Sequence, residues 1–238
     1  MKCNSLKKIS FLVILLNLLS ILSLFSINTY AAERWSGEDL IKAAIKNSKD
    51  LFNADKNPVF YQVVNPDNKP VSSIHTVVVF YDYNCTYSRE LIPLLRTQWE
   101  KKLYKIIFRP IGMTSDTSRT FAEFALAAYQ VSPEKFLDLH YELANTRYIL
   151  PMSTDNLRSA ITKAGLKYDD LADIINKQGL SNVVMNNQVI YDNIRFPGVP
   201  SIILAKLDSN NNIINDKIYY IAGSDRSQLE YKLYRILN

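Results

Sequence analysis

Cysteine is almost missing from this chain: there are two in 238 residues, Cys3 and Cys85. Histidine is as scarce, with only His75 and His140. A protein metal site needs three or four ligands brought together. These four scattered residues form no such cluster, so no metal and no other cofactor is expected. A strong charge of one sign is missing too. The formal net charge of +5 is too mild to argue for a nucleic-acid partner or an acidic membrane surface. Missing as well is an apolar run that comfortably spans a bilayer. The longest, Phe11 to Phe25, is interrupted by Asn17, Ser20 and Ser23 and falls short of the roughly 20 residues a span requires. There is no internal repeat and no linker after the first thirty-odd residues.

What is present is the composition of a globular protein, 47% hydrophobic and 21% charged, behind a leader. Lys2, Lys7 and Lys8 give a basic start, the apolar run follows, and Thr29-Tyr30-Ala31-Ala32 precedes Glu33. This order describes a secretory signal peptide over residues 1–32, cleaved after Ala31 or Ala32. An uncleaved anchor over residues 9–27 is the alternative. Cleavage sends the protein to the periplasm or the exterior, lowers the charge to +2, and removes Cys3. Cys3 lies too far upstream of the cleavage region to be a lipid-modified first residue. Cys85 then stands alone. A lone cysteine in an exported protein is a packed small hydrophobe, half of an intermolecular bond, or a reactive thiol.

The element pattern runs as follows. Ser36 caps a helix reaching about Phe52, with Leu40, Ile41, Ala44, Ile45 and Leu51 on its apolar side. This makes residues 33–57 an N-terminal arm ahead of a domain over 58–238. Val59 to Val64 is a short extended segment, and Asn65-Pro66-Asp67-Asn68 is a turn. The Val-rich run Thr76 to Tyr81 reads as a buried strand. A helix follows from Thr86 to about Lys101, bent at Pro93, then a strand from Tyr104 to Arg109. Residues 115–195 read as a helical insertion: Phe121 to Tyr129, Pro133 to about Leu143 with Pro133 in its first turn, Thr154 to Ala164, Leu171 to Lys177 ending at Gly179, and a last helix capped by Ser181. Ser201 to Lys206 and Lys217 to Ile221 form a hairpin around the polar turn Asp208 to Asn212. Asp225 caps a final helix, Gln228 to Leu237. Strand, helix and strand in that order call for parallel pairing through a right-handed crossover. The whole is an α/β fold with one mixed sheet and helices on both faces.

Two segments carry chemistry. Phe80-Tyr81-Asp82-Tyr83-Asn84-Cys85-Thr86-Tyr87-Ser88-Arg89 resembles the active-site stretch of DsbA-like thiol-disulfide oxidoreductases, where a strand opens into Cys-Pro-Tyr-Cys at a helix start. Thr86 stands where proline is usual, and Ser88 where the second cysteine is usual. Phe196-Pro197-Gly198-Val199-Pro200-Ser201 is similar to the same family's Gly-Thr/Val-Pro loop. Phe108-Arg109-Pro110 and Ile221-Ala222-Gly223 agree with the strands that flank these segments. The resemblance covers roughly Val59 to the end and implies a thioredoxin-like fold with a helical insertion. It also implies a cis Val199–Pro200 bond facing the sulfur, and a groove where Thr86, Tyr87 and the Val199 backbone meet an extended peptide. Cys85, Ser88 and Pro200 are its catalytic positions.

The residues support a reactive thiol on their own terms. A cysteine at a helix start meets unsatisfied N–H groups that favour its anion. Ser88, one turn on, is placed to donate to the sulfur, and Arg89 adds a weak attraction. The polar neighbours Asp82, Asn84, Thr86 and Ser88 argue against a dry core. Against a Cys–His nucleophile stands the lack of any motif linking His75 or His140 to Cys85. Asn84-Cys85-Thr86 formally matches a glycosylation sequon, a match short enough to arise by chance. The 15 Tyr and 10 Phe are spread along the chain and suit packing better than base stacking.

With Ser88 in place of a thiol, no internal disulfide can be stored and no mixed disulfide resolved from within. Three readings stay open. The chain is a monothiol oxidoreductase or isomerase working on envelope proteins with an external thiol or redox partner. Or it is a redox-inactive chaperone or assembly factor that binds extended peptides. Or it is a homodimer linked through Cys85, with the N-terminal helix as an interface; that helix packing on its own sheet is the other arrangement.

Overall fold

The computed structural model describes residues 37–60, 74–100, 105–145, 152–223 and 231. The leader, the turn at 65–68 and, apart from Tyr231, the closing helix at 228–237 lie outside them. Among the described residues no helix is long and apolar enough to cross a membrane.

The N-terminal arm is two helices rather than one, α1 (Gly37–Lys46) and α2 (Ser48–Phe52). Asn47 causes the break. Its Nδ2 donates to the Ala43 carbonyl at 2.8 Å, the same oxygen its backbone N–H reaches at 3.0 Å. An asparagine that bonds back onto its own turn offers the chain an alternative to continuing the helix. Leu40, Ala44, Leu51 and Phe52 are buried, and α1 packs on the final strand of the same chain. The arm thus covers its own sheet.

The sheet runs β1 (Val59–Phe60), β3 (Lys105–Pro110), β2 (Ile74–Tyr81), β4 (Ser201–Leu207), β5 (Ile213–Ala222) in spatial order. β2 and β3 are parallel, with Val79 opposite Phe108, and are joined through α3 (Thr86–Glu100). The β1–β3, β2–β4 and β4–β5 pairs are antiparallel, so the sheet is mixed. β2 is central and its residues from Thr76 to Tyr81 are all buried. That is why it reads as a continuous apolar run rather than an alternation. Val77, Val79 and Tyr81 face a core shared with Leu91, Leu95 and Phe121. Phe80, on the opposite face, packs against Tyr191 and Phe196.

Among the described residues five helices stand between β3 and β4: α4 (Ser118–Val131), α5 (Pro133–Asn145), α6 (Thr154–Lys163), α7 (Tyr168–Gln178) and α8 (Leu180–Ile194). Pro133 opens α5, where a missing N–H costs nothing. Gly179 ends α7 in the left-handed region, φ +63°, and also precedes α8. Ser181 is therefore inside α8 and does not cap it, because the left-handed glycine lets the chain re-enter a helix at once.

Arg109 ties the arm to the sheet. Its side chain is 1% exposed. Nη2 donates to the carbonyls of Asp50 at 2.6 Å, Leu51 at 3.0 Å, and Asn53; Nη1 donates to Asn187 Oδ1 at 2.7 Å. Asn187 in turn donates to Asn57 Oδ1 and to the Pro110 carbonyl. The guanidinium thus sits at the C-terminus of α2, where carbonyls have no helical partner and a cation is favoured. Burial pulls it down to about 10, with Asp50 opposing.

Candidate functional site

Past Tyr81 the chain turns through Asp82, Tyr83 and Asn84 and enters α3. The Cys85 N–H bonds the Asp82 carbonyl at 3.0 Å, and the Cys85 carbonyl takes the Arg89 N–H at 3.1 Å. Cys85 is therefore the residue just before the first helical one. It is a half-buried free thiol. Its Sγ donates to the Val199 carbonyl at 3.2 Å, across 114 sequence positions. The Val199–Pro200 peptide bond is cis. The two segments singled out in the sequence meet at this bond.

The other residues expected in the site divide. Thr86 and Tyr87 are exposed beside the sulfur, Tyr87 at 61%. Gly198 and Val199 are half-buried, and Pro200 is buried. Ser88 is buried and its Oγ accepts the Asp82 N–H at 3.3 Å. It is thus bonded to the turn, and no bond joins it to the sulfur. Arg89 is buried beside it. Burial lowers its guanidinium, and the charges of Cys85 and then Glu90 oppose the shift.

The turn that presents Cys85 is held by two polar side chains whose tasks the sequence alone does not reveal. Asp82 is fully buried and accepts three amides: Asn84 N–H on Oδ1 at 2.8 Å, and Met113 and Thr114 N–H on Oδ2 at 2.8 and 2.6 Å. Asn84 accepts the Met152 N–H at 2.7 Å and donates to Thr117 Oγ1 and Ser118 Oγ at 3.1 and 3.2 Å. With its amide buried and engaged, Asn84 is not a glycan acceptor. Asp82 lay inside the motif, so a signal existed, but two of its three amide partners come from a loop about thirty positions on.

That loop begins at Gly112, where a Cβ would stand 2.7 Å from Arg119 Cα and 2.8 Å from its N. Backbone cannot retreat as a flexible side-chain end can. Gly112→Ala is expected to lower unfolding free energy by about 2 kcal/mol, measured by urea denaturation. A loss below about 0.5 kcal/mol would show that the loop gives way freely.

The Phe196–Ser201 loop is fixed from below. Ser201 Oγ donates to the Gly198 carbonyl at 2.6 Å, and the Gly223 N–H to the Pro200 carbonyl at 2.9 Å. Phe196 packs on Phe80 and stacks on Tyr220, with centroids 5.2 and 5.5 Å apart. Among the described residues the Val199 N–H has no hydrogen-bond partner.

Neither histidine joins Cys85. His75 is the second residue of β2, six residues before its end, which is roughly 20 Å of strand. His140 is fully buried, with Nδ1 2.7 Å from the Tyr83 hydroxyl, itself 3.2 Å from that of Tyr81. Burial lowers His140 to about 3 and pushes both phenols well up.

A family model described as thioredoxin matches residues 71–219. None of the curated proteins matches the chain. Among solved structures similar to it is the catalytic domain of ScsC from Proteus mirabilis, 20% identical with a TM-score of 0.62, covering 83% of this chain and 98% of that one. The thiol-disulfide exchange protein alpha-DsbA2 from Wolbachia pipientis is 19% identical with a TM-score of 0.66, covering 84% and 98%. A periplasmic thioredoxin-like protein from Salmonella enterica serovar Typhimurium is 23% identical with a TM-score of 0.59, covering 81% and 95%. At these identities the likeness is one of fold: a mixed sheet with a helical insertion, as in DsbA-like proteins.

Proposed function

Because this chain belongs to the thioredoxin family, we propose that it is an exported monothiol exchange protein, with Cys85 as nucleophile and the Val199–Pro200 loop as its peptide-binding edge. The observation that carries this reading is the Cys85 Sγ, half-buried at the mouth of α3 and 3.2 Å from the Val199 carbonyl. An extended client laid along Val199 pairs with its unpartnered N–H as one more strand and brings its own sulfur beside Cys85. Thr86 and Tyr87 flank that track. The Cys85 thiolate attacks a client disulfide, one Sγ–S bond forms, the client S–S bond breaks, and the second client sulfur leaves as thiolate. No electrons are gained or lost overall. Ser88 cannot resolve the adduct, so a thiolate from the client or from an external redox partner does, and the chemistry is isomerisation or reduction. The leader at residues 1–32 and the periplasmic setting of a structural neighbour support action on envelope proteins.

The full chain, mixed with a peptide disulfide and quenched with acid, is expected to carry a mixed disulfide that digestion maps to Cys85. Cys85→Ala is expected to lose that adduct completely and keep the fold. If wild type forms no adduct while still binding extended peptides, the exchange reading is lost and the redox-inactive binding module takes its place. A disulfide-linked homodimer through Cys85 would appear in the same mass spectrum.

A further inference from the structure

Beyond the Cys85 site the fold holds a cleft of about 310 Å³ where α2, the loop at 53–57 and the α7–α8 junction meet. Arg109 and Asn57, 1% and 3% exposed, form its buried part. None of its lining residues belongs to the thiol site, so the two sites stand or fall separately. The lining is almost wholly polar. Only Gly179 and Val183 lack a polar side chain, and no aromatic ring takes part. Lys56 adopts φ +55°, a conformation that a non-glycine residue rarely takes. It reverses the loop between Asp55 and Asn57, and both line the cleft.

How these groups are already used decides what they can hold. Nε, one Nη1 hydrogen and both Nη2 hydrogens of Arg109 go to protein oxygens. At most one N–H remains, too few for the paired fork with which arginine grips a carboxylate or phosphate. The Lys56 ammonium donates to the Gln178 carbonyl at 3.0 Å, at the end of α7. The start of α8 favours an anion by about half a charge, but Asp50 and Asp55 oppose it with a full charge each. The two cations and the two carboxylates cancel, so no net charge draws an ion. The acceptors are unspent. Among the described residues the carboxylates of Asp50 and Asp55 make no hydrogen bond, and neither do the carboxamides of Gln178, Asn182 and Asn186. Asn182 and Asn186 stand four apart on α8, on one face of the helix.

Free carboxylates beside free carboxamides, without net charge, suit hydroxyl groups, which donate to the first and both donate to and accept from the second. We propose that this cleft binds a small neutral polyol of monosaccharide size, its hydroxyls held by Asp50, Asp55, Asn182 and Asn186.

The test is amide NMR of the isotope-labelled full chain, titrated with glucose, galactose, mannose and N-acetylglucosamine, and with inorganic phosphate as the anionic control. At least one sugar is expected to shift the Lys56, Gly179 and Asn182 amides saturably, with a Kd of about 1–10 mM. Asp55→Ala is expected to weaken that binding about tenfold, and the pair Asn182→Ala and Asn186→Ala to weaken it by as much. Melting temperatures should hold, since none of these side chains is bonded within the fold. The Asp55 variant and the asparagine pair are read separately, so either one that folds decides. No saturable shift with any of the four sugars overturns the inference. So does phosphate binding more tightly than every sugar, which makes the cleft an anion site. Sugar binding that the variants leave unchanged overturns it as well, because the ligand then sits elsewhere.

Discussion

Arg109→Met is expected to lower the unfolding free energy by about 4 kcal/mol, and the melting temperature by about 10 °C. The guanidinium satisfies the carbonyls of Asp50, Leu51 and Asn53 and the side-chain oxygen of Asn187; Leu51 and Asn187 are buried, while Asp50 and Asn53 are exposed. Each buried acceptor left unpaired costs about 1–3 kcal/mol. Part is recovered, because methionine need not desolvate a cation and the end of α2 can move toward solvent. Arg109→Lys keeps the charge but has one ammonium where a planar fork serves four acceptors, so it should restore less than half of the loss. Equilibrium unfolding in guanidinium chloride measures both. A methionine variant within about 1 kcal/mol of wild type would mean that the arm is held by its apolar contacts alone. A reduced denaturant slope with the same midpoint would instead report that the arm had already separated.

The second large effect is acid sensitivity set by His140. Its folded value of about 3 lies below its ordinary 6.5, so the native state holds the ring neutral while the unfolded chain takes up a proton. The stability this group permits is complete above about pH 6.5 and falls as the pH drops, by about 1.4 kcal/mol per unit, until the ring protonates in the native state near pH 3. From pH 7 to pH 4.5 the loss attributable to it is about 2.5 kcal/mol. His140→Phe should flatten this slope. Phenylalanine keeps the stack on Phe136 at 4.8 Å, and Tyr83 retains Tyr81 as a hydroxyl partner. Urea midpoints at pH 7 and pH 4.5 for the two proteins decide the matter. Parallel pH dependences would show that the native state reorganises to admit the charged ring.

The fold was legible in the sequence where one constraint governed a whole segment. β2 announced itself through continuous Val-rich burial, α5 through Pro133 and the end of α7 through Gly179. The meeting of Cys85 with Val199 and Pro200 at the candidate site was legible where each segment is continuous in the chain. What could not be read depends on partners far apart. Nothing local in Phe108-Arg109-Pro110 says that the arginine will reach back to α2, and nothing in Asn84 says that it will bind the amide of Met152. His140 looks like any histidine on an amphipathic helix until Phe108, Phe136 and Tyr81 close around it. Ser88 was read from helical spacing as a donor to the sulfur; its oxygen instead accepts the Asp82 N–H and no hydrogen bond joins it to the sulfur, which spacing cannot show. The break at Asn47 needed one side chain to compete with its own backbone, which periodicity does not register.

Asp82 and Asn84 also bear on how the molecule can be rebuilt. Five of their hydrogen-bond partners, Met113, Thr114, Thr117, Ser118 and Met152, come from the segments that lead into or connect the helices between β3 and β4. That helical block is therefore not a detachable cassette laid over a smaller thioredoxin-like core. Excising it, or grafting in its counterpart from a distant relative, would strip the hinge that aims the thiol, and the remaining sheet would present its sulfur at an arbitrary angle.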